Sequence, residues 1–193
     1  NPTYVYAKNG PYTVTLYAKT TCHNNFLRKD RLIEVGVGKL ETAFLGGNGL
    51  SAAGSGNLFD VKIKNPQGLK VASIDMSFWT AGAFDIEIWC TPGTYIGNDN
   101  LPNKWVQVAA GTGTATAGGY GSRTHVNTDD FFLPPGDYGM YIISSAGVAY
   151  TNGNGTNQNF GNADLELALG TGKNLKFSGT MFNPRIWNGA IYY

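Results

Sequence analysis

The sequence predicts an all-β fold, an antiparallel β-sandwich of jelly-roll-like build. Three observations predict it. Apolar and polar residues alternate with period two in one run after another. Clusters of Gly, Asn, Pro and Asp punctuate those runs at short intervals. No stretch of useful length carries the 3.6-residue apolar period of a helix. Many short, regularly punctuated strands are the pattern of a sandwich or jelly roll.

The opening, NPTYVYAKNGPYTVTLYAKTTCHNNF, reads as two strands and the start of a loop. Tyr12, Val14, Leu16 and Ala18 alternate with Thr13, Thr15 and Tyr17, so one face is apolar and needs a cover. In LFDVKIK, Phe59, Val61 and Ile63 oppose Asp60, Lys62 and Lys64. In ASIDMSFW, Ala72, Ile74, Met76 and Phe78 oppose Ser73, Asp75, Ser77 and Trp79. In FDIEIWC, Phe84, Ile86, Ile88 and Cys90 oppose Asp85, Glu87 and Trp89, and in DLELAL the leucines 165, 167 and 169 share a face. Each run predicts one buried and one wet face. NPQG, TPGTYIGNDNLPN, LPPGD and TNGNGTN supply turns between them. Two Gly-rich stretches, 45–57 and 109–124, read as surface loops. They lack the Lys-Ser/Thr ending of a phosphate loop, and no helix follows to offer its N-terminus. Near the end, RIWNGAIYY places Asn188-Gly189 between two β-prone runs, which predicts a type I′ hairpin. The last strand, 190–193, should pair into the sheet.

A chain of 193 residues holds one large β domain, or one domain with an appendage. It is 42% hydrophobic and 13% aromatic but only 14% charged, against about 25% charged in ordinary soluble domains. Its 27 glycines, with many Asn, Ser and Thr, cover the surface instead. That profile predicts a rigid, loop-rich protein that is secreted or displayed at the cell surface. The net charge is +1 and the longest basic cluster is RKDR, so the dense cationic stripe that neutralises nucleic-acid phosphates is missing. No apolar run approaches the roughly 18 residues of a membrane helix, so no membrane insertion is expected. The chain opens on Asn1 without a leader pattern, which predicts a mature product or a trimmed fragment.

Catalysis finds little to build on. The two histidines, His23 and His125, sit in polar, loop-like contexts, and no nucleophile elbow, HExxH helix or CxxC pair occurs. Asp85 with Glu87, or Asp129 with Asp130, could flank a glycosidic bond, but charges on a strand's outer face ordinarily serve solubility. The expectation is a protein that is not an enzyme and has no obligate cofactor. A structural calcium ion is the one candidate: Asp99, Asp129, Asp130 and Asp164 offer loop oxygens of the right kind, though such residues also serve simply as turn formers. Polysaccharide is the candidate ligand. Trp79, Trp89, Trp105 and Tyr95, with Trp187, Tyr120 and Tyr141, could stack on sugar rings; Trp79 and Trp89 fall on the polar phase of their strands. The same aromatics would serve equally under a second sheet or a partner subunit. Cys22 and Cys90 are the only cysteines, and the extracellular profile predicts that they are bonded. The alternative is two separate thiols, with Cys90 packed as a small hydrophobe.

Residues 1–35 resemble the end of a PKD domain, an immunoglobulin-like sandwich of extracellular proteins. The resemblance rests on NPTYVY, the turn KNGP, the strand YTVTLYA, the Cys-bearing loop KTTCHNN and RLIEVG. Residues 38–193 are similar to a β module found at the C-terminus of large secreted or surface proteins of environmental bacteria. FLGGNGLSAAGSGNLFDVKIKN, AFDIEIWCTPGTYIGNDN, LPPGDYGMYI, AYTNGNG and FNPRIWNGAIYY carry that likeness. The Cys in its IWC run departs from it. The resemblance implies a PKD-like strand extension over 1–37 and a non-catalytic β-sandwich domain over 38–193. A hairpin and one strand cannot bury a core alone. The expectation is therefore a structural or adhesive protein that self-associates as a surface-fibre subunit, joined by strand donation through Tyr4, Tyr6, Tyr12, Val14 and Leu16. The alternative is a carbohydrate-binding module of a larger secreted protein.

Overall fold

The computed structural model describes residues 10–19, 24–35, 38–44 and 47–193. Two compact units divide the chain, Asn1–Gly38 and Lys39–Tyr193. Among the described residues there is no α-helix, and the one 3-10 turn spans Pro102–Lys104.

In the first unit, β1 (Gly10–Lys19) and β2 (Asn24–Val35) form a two-stranded antiparallel sheet. Leu16 lies opposite Leu27, and Tyr17 opposite Phe26. Neighbouring positions on a strand point to opposite faces, so both faces of this ribbon carry an apolar pair.

The second unit is a sandwich of antiparallel sheets. Its strands are β3 (Lys39–Glu41), β4 (Gly49–Ser51), β5 (Gly56–Ile63), β6 (Leu69–Met76), β7 (Gly82–Pro92), β8 (Val106–Ala115) and β9 (Thr124–Leu133), followed by β10 (Gly136–Ser144), β11 (Val148–Asn152), β12 (Asn159–Gly161), β13 (Leu165–Leu175), β14 (Ser178–Phe182), β15 (Arg185–Trp187) and β16 (Gly189–Tyr192). The large sheet runs β12-β13-β5-β10-β7-β8, with β14 also on β13. A four-stranded sheet, β3-β16-β6-β9, and a three-stranded one, β15-β11-β4, complete the unit. The bridge between Phe78 and Val148 links the last two.

The core forms where the period-two runs meet. Phe59, Val61 and Ile63 of β5 join Leu165, Leu167 and Leu169 of β13, Met140 and Ile142 of β10, and Phe84, Ile86 and Ile88 of β7. Across from them, Leu40, Ile191, Ile74 and Val126 form one continuous row over the four-stranded sheet. The turn at NPQG closes with the Gly68 N–H donating to the Asn65 carbonyl (2.9 Å), Gly68 taking a positive φ of 72°.

Four expectations fail locally. First, Asn188-Gly189 makes no hairpin: β15 pairs with β11, whereas β16 lies between β3 and β6. The chain stays extended and crosses between sheets. Asn188 is fully buried there and accepts from the Thr151 hydroxyl (2.9 Å). Gly189 is needed because the Trp187 indole lies where a Cβ would stand. Second, half of the stretch 109–124 is strand, since β8 runs through Ala115 and β9 begins at Thr124. Its glycines allow close approach: a Cβ on Gly111 would stand 2.8 Å from the Asn127 carbonyl oxygen, and one on Gly113 2.8 Å from the Phe84 ring. Third, the polar phase of ASIDMSFW is not wet, because Ser73 and Asp75 of β6 and Ser77 just beyond it are all buried. Fourth, β6 ends at Met76, so Trp79 lies beyond the strand.

A register shift between Leu169 and Thr171 interrupts β13. Leu169 lies opposite Phe59, on the core side, but Thr171 lies opposite Leu58, on the outer side. Such a bulge re-aims every following side chain. It turns Thr171 and Lys173 to the outer face.

Candidate functional site

Three surfaces of the structure bear on function. In the first unit, the β1–β2 ribbon exposes Leu16 (65%), Tyr17 (76%), Phe26 (66%) and Leu27 (57%). The rings of Tyr17 and Phe26 meet across the strands at 6.1 Å. Tyr12 and Val14 are half-buried. Tyr4 and Tyr6 lie outside the described residues. β2 begins at Asn24, inside the stretch that reads as loop, so the sequence pattern does not mark Phe26 and Leu27 as strand residues. Their signal was an apolar pair straight after a polar run: consecutive residues serve both faces of a strand.

The second surface is the outer face of the large sheet. Leu58, Tyr141 and Trp89 form a row across β5, β10 and β7. The segment 93–105 and the β13–β14 turn cover it. Tyr95 and Trp105 are buried there with Leu58, Tyr141 and Ile143 as a second core. Asp60 fastens the segment by accepting from the Thr94 hydroxyl (2.7 Å) and the Tyr95 N–H (2.9 Å). Trp105 donates its Nε1–H to the Asn98 carbonyl (2.9 Å). Trp89 is half-buried against the edge of Phe177 (5.3 Å), with the Lys176 ammonium 4.4 Å from its ring centroid and its Nε1–H donating to Glu87 (2.6 Å). Phe177 adopts a positive φ of 50° to reach this position. Thus Tyr95, Trp105 and Tyr141 serve as core, and the chain's own loops supply the cover. Trp187 is buried in the main core, stacked on Phe59 at 5.4 Å. Trp79 and Tyr120 are exposed. Beside the second core runs an open groove of about 720 Å³, lined among others by Lys62, Lys64, Asp137, Asn159, Phe160 and Glu166. Lys64 pairs with Glu166 at 2.9 Å, and Lys62 stands 4.0 Å from Asp137.

The third surface is the outer face of the four-stranded sheet. Glu41, Ala190, Asp75 and His125 form a row across β3, β16, β6 and β9. Asp75 accepts from Tyr192 OH (2.7 Å) and Arg123 Nη1 (3.2 Å), and its other oxygen meets His125 Nδ1 at 2.7 Å. Arg123 also donates to Glu41 (2.6 Å) and lies over the Phe44 ring at 4.0 Å. Burial by itself would push the Asp75 carboxyl up. Hydrogen bonds from His125 and Tyr192, with the nearby positive charge, outweigh it and hold the group below the ordinary carboxylate value. Nothing local in the sequence marks this cluster, because its members come from four separate strands and a loop.

The candidate calcium oxygens do not converge. Asp99 accepts from Lys173 Nζ (2.7 Å), Asp130 pairs with Lys70 (2.5 Å), and Asp129 accepts from the Ala110 N–H (3.2 Å). Asp164 accepts from Asn65 (2.9 Å) and from Tyr193 OH (3.2 Å). Among the described residues, no three His, Cys, Asp or Glu side chains come together to hold a metal ion. Asp85 is exposed, whereas Glu87 is engaged by Trp89 and by Lys176 (2.5 Å). Cys90 is a buried free thiol, and burial pushes it up to about 12. Cys22, its expected bonding partner, lies outside the described residues.

No helix among the described residues is long and apolar enough to cross a membrane. No protein-family model matches the chain, and no curated protein is significantly similar to it.

Proposed function

We propose that the chain is a non-catalytic, extracellular structural or adhesive β protein whose copies join through the β1–β2 hairpin. The observation that carries this reading is the ribbon itself. It pairs with no other described strand, and it exposes an apolar pair on each face. A two-stranded hairpin is marginally stable alone, and grouped apolar side chains of this kind mark interaction surfaces. The occupant is the sheet of a second copy. Backbone hydrogen bonds to a sheet edge would give affinity, and alternate side chains would set the register. A head-to-tail contact of this type does not close and builds a fibre.

The test compares the full chain with one beginning at Gly38, by light scattering and electron microscopy. The full chain should assemble, and the shortened one should stay folded and monomeric. Equal assembly of the two, or a monomeric full chain, overturns strand association. One observation favours a second reading, a polysaccharide-binding module: the open groove presents cations, carboxylates and an amide side by side, as a polyhydroxylated chain requires. Retardation in gels containing neutral polysaccharides, lost in Lys62→Ala and Glu166→Ala, would support it. Identical mobility on every polysaccharide would remove it.

A further inference from the structure

Lys173 is the feature that neither reading uses. Its side chain is fully buried, although it stands on the outer face of the large sheet. The bulge before Thr171 puts it there: without it, the alternation of Leu165, Leu167 and Leu169 would continue and drive Lys173 into the main core. The segment 93–105 closes over it. Lys173 Nζ lies 2.7 Å from Asp99 Oδ2 and 2.6 Å from Asn100 Oδ1. A C=O bond is about 1.2 Å long, which places the Asn100 carboxamide carbon roughly 3–4 Å from the amine. A buried amine, a carboxamide and a carboxylate thus converge on one point. Tethering of this kind substitutes for high reactant concentration.

We propose that Lys173 and Asn100 become joined by an isopeptide bond, with Asp99 carrying the protons. The ammonium of Lys173 gives one proton to Asp99, and the free amine attacks Asn100 Cγ. Asp99 returns its proton to Asn100 Nδ2, and the Cγ–Nδ2 bond breaks. Nζ gives its second proton to Asp99 as the new Nζ–Cγ amide forms, and Asp99 passes it to the departing nitrogen of Asn100, which leaves as ammonium. One C–N bond replaces another, so no oxidant, reductant or cofactor is required. Asn100 is exposed at the loop surface, which gives the departing ammonium an exit. Asp99, 12% exposed, touches the reacting nitrogen and acts as general base and acid. The product would lock the cover of the second core onto β13 covalently. This inference stands on the sandwich unit alone and is independent of how copies associate.

Intact-mass measurement of the full chain after complete reduction tests it. The expected mass is about 17 Da below that of the sequence, the loss of one ammonia. Proteolysis should release a branched peptide joining Asn100 to Lys173. Asp99→Asn should carry the full mass while keeping the wild-type circular dichroism spectrum. Lys173→Met should also carry the full mass. A wild-type chain of unreduced mass, with the Asn100 and Lys173 peptides recovered separately, overturns the proposal without relying on any variant. A mass deficit that persists in Lys173→Met overturns it too, since the ammonia would then come from another asparagine.

Discussion

Replacing Asp75 by Ala tests whether the outer face of the four-stranded sheet is buried or wet. The carboxylate is 3% exposed and has three side-chain partners at 2.7, 2.7 and 3.2 Å. Removing it leaves the Tyr192 hydroxyl and the His125 ring facing a gap. Breaking a fully buried charge pair costs about 3–5 kcal/mol. Arg123 and His125 remain 40% and 29% exposed and can turn to water, so the loss should fall to about 2–3 kcal/mol. For a domain of this size that lowers Tm by about 4–12 °C. Urea unfolding should show a lower midpoint with an unchanged slope. A change below about 0.5 kcal/mol, the range of ordinary surface substitutions, would refute the reasoning and return Asp75 to the wet face that simple alternation assigns it. The effect also depends on pH, with a definite sign. The folded carboxyl lies below its ordinary value of 3.8, so the unfolded chain takes up the proton first. The contribution of Asp75 is complete above that value and disappears as pH falls through the lower, folded one. The gap between wild type and Asp75→Ala should therefore close in acid and persist at neutral pH.

Three further outcomes are expected. Gly189→Ala should cost about 1–3 kcal/mol or more, because the new methyl enters the space of the Trp187 indole; an unchanged urea midpoint would disprove that packing. Phe177→Ala should uncover Trp89 and Trp105, read as a red shift in tryptophan emission, and should destabilise the domain by about 2–4 kcal/mol; unchanged emission would refute the covering role. With its thiol raised to about 12, Cys90 should resist iodoacetamide at pH 8 in the native protein and react once unfolded and reduced; rapid native labelling at Cys90 would contradict its burial.

Much of the sandwich was legible in the sequence because period two is a local property. Phe59, Val61 and Ile63, Phe84, Ile86 and Ile88, and Leu165, Leu167 and Leu169 each declare a core face without knowledge of any partner, and all of them enter one core. The turns at NPQG and LPPGD were equally local. What alternation cannot state is where it breaks. One residue of bulge in β13 exchanges core for outer face, and the reason for it stands elsewhere in the chain, since a Cβ on Gly170 would collide with the Tyr95 hydroxyl. Asn188-Gly189 has hairpin chemistry, yet the burial of Asn188 and the Trp187 ring over Gly189 carry the chain from one sheet to another. Tyr95 and Trp105 look like ligand aromatics until segment 93–105 folds back over Tyr141. Asp75, His125 and Arg123 become a cluster only when β6 and β9 pair in register. The composition and alternation of the chain therefore determined that it folds as a β-sandwich and which residues fill its middle. Tertiary structure alone decided which outer faces are covered and which polar groups meet, because burial of an outward side chain depends on what other segments are packed upon it.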